Sequence, residues 1–173
     1  QVDVVPFGAL ERHGEVVIHE SSLTVIGCAE AAANADLVTL PSGRVLPVAP
    51  LELMAVLKLI AFAGRHPAET KDADDLLTVL RAASEGIYGD ETWDDERAMA
   101  ATDFDHQLAG AHRLGRRGIA CFIPDRALRV HKVAKQVHPA LRLAWRGAHE
   151  GLLKAWLAGL RAGGPDAVEG TSG

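Results

Sequence analysis

The run at residues 51–64, LELMAVLKLIAFAG, constrains the fold more than any other part of the chain. Pro50 precedes it and suits a first helical turn, where its missing N–H is not needed. Gly64, Arg65, His66 and Pro67 close it with a helix-stop signature. The segment is apolar nearly all round, so it cannot lie on a surface and must be a central helix covered on every side. It is too short to cross a bilayer, and it carries Glu52 and Lys58. The rest of the chain has to supply its cover.

Upstream, residues 2–7 read as a strand ended by Pro6 and Gly8, residues 15–18 as a second short strand, and residues 27–35 as a short Ala-rich helix. Residues 37–40 and 44–48 form a hairpin with Ser42-Gly43 in its turn. Residues 71–83 make a helix whose inner side is Leu76, Leu77, Val79 and Leu80. Residues 86–95 are turn-rich and acidic and mark a boundary. Beyond it, helical spacing groups Phe104, Leu108, Ala111 and Gly115; then Val130, Val133, Ala134 and Val137; then Leu141, Trp145, Ala148, Leu152 and Trp156. The expected organisation is α+β over residues 1–85, a helical region over 96–162, and a disordered Gly/Pro/Ser-rich tail over 163–173.

The net charge of −5 conceals an asymmetry. Residues 1–105 hold 7 basic and 19 acidic side chains, whereas residues 106–161 hold 11 basic and 2 acidic ones and five of the eight histidines. Such a split suggests one face that could hold a metal and another that could meet an anion. Cys28 and Cys121 stand far apart without ligand-like neighbours, and the histidines lack the spacing of a zinc site. Residues 2–10 are too short and lack a basic leader for a signal peptide, so cytoplasmic localisation and no membrane partner are expected.

Asp3 is a carboxylate inside an apolar strand, costly to bury unless it meets a cation; otherwise it is an exposed edge acid. Lys58 is the only cation within residues 53–62, and Arg65 lies two helical turns along the same side. A lysine there either snorkels to solvent or faces an anion. Asp72 and Asp75 share one helical face near a positive N-terminal end, as helix-capping acids or as the wall of a site. Arg126, Arg129, Lys132 and Lys135 lie opposite Val130, Val133, Ala134 and Val137, with Arg142 and Arg146 on a following helix, a pattern that suits a nucleic-acid phosphate array or an acidic protein.

In this order the segments resemble those of AbiEii-type nucleotidyltransferases. Val2-Asp3-Val4-Val5-Pro6-Phe7-Gly8 is similar to that family's D-[IVL]-[IV]-P-F-G strand, residues 57–65 to its lysine helix, and Lys71-Asp72-Ala73-Asp74-Asp75-Leu76 to its K-D-x-x-D-L segment. Residues 105–115 resemble a helix that follows in a subset of members. The resemblance covers about residues 1–120. It implies a polymerase-β-like fold with a mixed sheet and flanking helices, of which this chain is the C-terminal part. It also implies Mg²⁺ or Mn²⁺ as cofactor, an NTP as substrate, an RNA acceptor with tRNA as one candidate, and a cognate antitoxin.

Asp3 would be a metal-binding and catalytic carboxylate, Lys58 would contact the triphosphate, Asp72 would complete the pocket, and Arg65 and Asp75 would assist nucleotide binding. The family's Gly-Ser loop and D-x-D pair precede the D-[IVL]-[IV]-P-F-G strand, and here Gln1 stands against that strand. The chain is therefore expected to begin inside a longer protein and to be inactive alone. The alternative is a non-catalytic RNA-binding or antitoxin-type helical interaction module.

Overall fold

The computed structural model describes residues 8, 14–18 and 21–164. Asp3, the strand expected at residues 2–7, and residues 165–173 of the expected tail lie outside the described residues.

The chain is α+β. Strands β1 (Glu15–Ile18) and β2 (Ser21–Thr24) pair antiparallel, helix α1 (Cys28–Ala33) follows, and β3 (Asp36–Thr39) and β4 (Val45–Val48) form a second antiparallel pair. Seven helices complete the order: α2 (Leu51–Arg65), α3 (Lys71–Ala82), α4 (Gly86–Trp93), α5 (Glu96–Ala100), α6 (His106–Ala120), α7 (Pro124–Ala144) and α8 (Glu150–Ala162). The mixed sheet implied by the resemblance is not found among the described residues, where the strands form two separate two-stranded antiparallel sheets. Each strand is four residues long and pairs with its neighbour in sequence.

Helix α2 is central, as its all-round apolarity requires. Leu53, Ala55, Val56, Leu59, Ile60 and Phe62 are buried, and α1, β2, α3, α6 and α7 pack around it. One cluster of buried side chains runs from Ile26 to Leu160, so helices before and after residues 86–95 share it. That segment is mostly helix α4 rather than turn-rich: Thr92 donates from its hydroxyl to the Ala83 and Tyr88 carbonyls, which gives a polar sequence a buried anchor.

Helices α6 and α8 meet backbone to backbone. A Cβ at Gly159 would overlap the His112 carbonyl, and one at Gly115 would overlap the carbonyl of Trp156. Glycine is what lets the two axes come this close.

Three further expectations need correction. Phe104 does not join the face of Leu108 and Ala111; it sits in the turn before α6 at φ 62° and is 71% exposed. Arg142 is not on a separate helix after Val137, because α7 continues through Pro139. Pro139 is on the solvent side, while Val137 and Leu141 on either side of it stay buried. Conversely, the series from Leu141 to Trp156 is broken between α7 and α8 by a turn in which Arg146, Gly147 and His149 all take positive φ.

Candidate functional site

The last two turns of α2 lie beside the first turn of α3, and four of the sequence candidates meet there. Asp72 is the hub. Its side chain is only 3% exposed, and its two oxygens take different cations: Oδ1 accepts from Lys58 Nζ at 3.4 Å, and Oδ2 from Arg65 at 2.7 Å. Lys58 Nζ also donates to Asp75 Oδ2 at 2.6 Å. The i, i+3 spacing of the two acids brings both to one lysine, and the spacing of seven on α2 brings both cations to one acid.

Burial works against the charge of Lys58, but its hydrogen bonds and Coulombic attraction to Asp75 and Asp72 outweigh that and hold the ammonium above the ordinary lysine value. Lys58 thus stays charged while reaching solvent, at 32% side-chain exposure against 52% for Arg65. Two solvent-facing cations on one buried carboxylate can donate to an anion arriving from solvent, and Asp75 is its competitor for Lys58.

The position of α3 is set partly by a residue that the sequence placed on an apolar face by its helical spacing. Trp145, at the end of α7, donates from its indole N–H to the Ala73 carbonyl at 3.1 Å. Nothing local in the sequence links positions 73 and 145.

The other cationic candidates are distributed differently. Arg126 donates to both carboxylate oxygens of Glu30, at 3.0 and 3.1 Å, and Arg142 to Glu150 at 3.2 Å. Arg129 and Lys132 are exposed on α7, and Arg146 is exposed in the turn beyond it. Much of the basic half is paired with acids of the same chain. Arg113 pairs with Glu91 and Asp95, Arg116 with Asp95, and Arg117 with Glu52 and Glu91. Glu91, Asp94, Asp95, Glu96, Arg113, Arg116 and Arg117 line an open groove of about 680 Å³.

Among the described residues no group of three or more His, Cys, Asp or Glu is placed to hold a metal ion. Asp72 and Asp75 are both committed to cations. No described helix is long and apolar enough to cross a membrane. Compared with models of known protein families, with curated proteins and with solved structures, the chain finds no match.

Proposed function

We propose that the protein is a nucleotidyltransferase of the abortive-infection toxin type, moving a nucleotide from an NTP to an RNA acceptor, with tRNA as a candidate. The observation that carries this reading is the convergence of Lys58, Arg65, Asp72 and Asp75 at the junction of α2 and α3. Those residues come from the two segments that resemble the family's lysine helix and K-D-x-x-D-L segment. In this reading Lys58 and Arg65 receive the triphosphate, with Asp72 holding both cations toward it. The cluster is not the seat of Mg²⁺ or Mn²⁺, since its carboxylates are occupied by cations; a metal would be held by carboxylates outside the described residues, Asp3 among them. One carboxylate does not hold hydrated Mg²⁺ tightly, so the upstream acids of the family pattern are part of the proposal.

The test is transfer of labelled nucleotide from each NTP to total RNA, by protein expressed from the whole open reading frame that encodes this chain. Lys58→Met should lower transfer by roughly 100-fold, the scale of losing one preorganised charge contact, while the chain stays folded because Arg65 still pairs with Asp72. Undiminished transfer by the folded variant would remove Lys58 from the site.

A further inference from the structure

The hairpin of β3 and β4 is incomplete among the described residues. Every residue of both strands is exposed, including Leu37 at 75%, Val45 at 54% and Leu46 at 45%. The apolar side chains occupy both faces: Val38, Leu46 and Val48 on one, Leu37, Val45 and Pro47 on the other. Sheets apolar on both faces are ordinarily interior ones.

The hydrogen-bond parity decides which edge is open. The Leu40 N–H donates to the Arg44 carbonyl at 2.8 Å, which makes that pair hydrogen-bonded. Pairs alternate along an antiparallel ladder. Val38 with Leu46 and Asp36 with Val48 are therefore the bonded pairs, whereas Thr39, Val45, Leu37 and Pro47 direct their backbone groups outward. On β4 the outward position 47 is a proline with no N–H to offer, a device that blocks strand addition. On β3, Leu37 and Thr39 each present an outward N–H and carbonyl.

We propose that the edge of β3, open among the described residues, pairs with β3 of a second copy of this chain, antiparallel about a two-fold axis. The edge is self-complementary. With Val38 opposite its own copy, Leu37 faces Thr39 of the other chain, and the two such pairs exchange four hydrogen bonds. One face then carries a continuous apolar row, Leu46–Val38–Val38–Leu46, across four strands. Asp36 falls opposite Leu40, so the two carboxylates are not set against each other. Both outer edges of the four-stranded sheet are then β4 edges bearing Pro47, so the pairing stops at two copies instead of growing into a fibre.

Sedimentation over a concentration series reads the association directly. The mass should rise toward twice the 18.4 kDa of one chain. Thr39→Pro, which removes one outward N–H and leaves the β3–β4 bonds intact, should return it to one chain at the same concentrations. Leu37→Lys, which sets a charge against the edge, should do the same with an unchanged circular dichroism spectrum. As a positional check, Val38→Cys should give a covalent dimer with oxidised glutathione, because residues opposite each other in a non-hydrogen-bonded pair lie close enough for a disulfide. Val17→Cys, exposed on β1, and the parent chain with its own two cysteines should not. A single-chain mass at every concentration overturns the proposal. So does a dimer indifferent to both edge substitutions, or one that Val38→Cys fails to cross-link.

Discussion

The ion cluster between α2 and α3 and the one between α4–α5 and α6 use the same charges and bury them differently. In the first the buried member is the acid: Asp72 is 3% exposed and its cations are one-third and one-half exposed. In the second, burial is shared between the signs: Arg113 is 8% and Asp95 13% exposed, while Arg117 and Glu91 are 48% and 52% exposed. The buried member is fixed by packing and the exposed one remains accessible. The first cluster therefore offers positive charge to solvent and can receive an anion. The second presents both signs to solvent, through Glu91 and Arg117, and acts as a staple between helices. Counting charges along the chain cannot make this distinction.

The largest expected effect comes from stripping Asp72 of both cations. Lys58→Met with Arg65→Met leaves a buried carboxylate uncompensated, and urea unfolding should show a loss of about 3 kcal/mol. Adding Asp72→Asn in that background should recover most of it; without recovery, Asp72 is not the hub. Arg113→Met should cost less, about 1–2 kcal/mol, because half-exposed Glu91 rehydrates and Asp95 keeps Arg116. A larger loss than the double substitution gives would reverse the comparison.

The smallest effect is in alkali. A lysine whose folded value lies above its unfolded one contributes stability that is fully present below the unfolded value, about 10.4, and lost as pH rises through the folded one. Melting midpoints between about pH 9 and about 11.5 should therefore fall more steeply for the parent chain than for Lys58→Met. Parallel curves would mean that Lys58 gains nothing from Asp75 and Asp72.

The central helix, the hairpin and the α2–α3 candidates were legible because each rests on local spacing. Apolarity around residues 51–64 dictates burial, and i, i+3 spacing delivers Asp72 and Asp75 to one partner. What was not legible depends on contacts remote in sequence. Helix α4 looked like a turn because Gly86, Gly89 and the acids around them hide the buried Thr92 hydroxyl that anchors it. The basic surplus after residue 105 looked like one surface, yet Arg113, Arg116 and Arg126 turn toward acids at positions 91, 95 and 30. The expectation of a separate helix carrying Arg142 also fails, because packing on the inner side of α7 carries that helix through Pro139.

The hydrogen bond from Trp145 to the Ala73 carbonyl spans 72 residues, and that separation has a meaning in time. At ribosomal speeds of about 5–20 residues per second, roughly 4–14 s pass between synthesis of α3 and of the tryptophan that ties it down. Lys58, Arg65, Asp72 and Asp75 are all made before that delay ends. The nascent chain thus holds every side chain of the cluster well before it holds the one that fixes α3 from behind, and the site is finished from the far end of the protein.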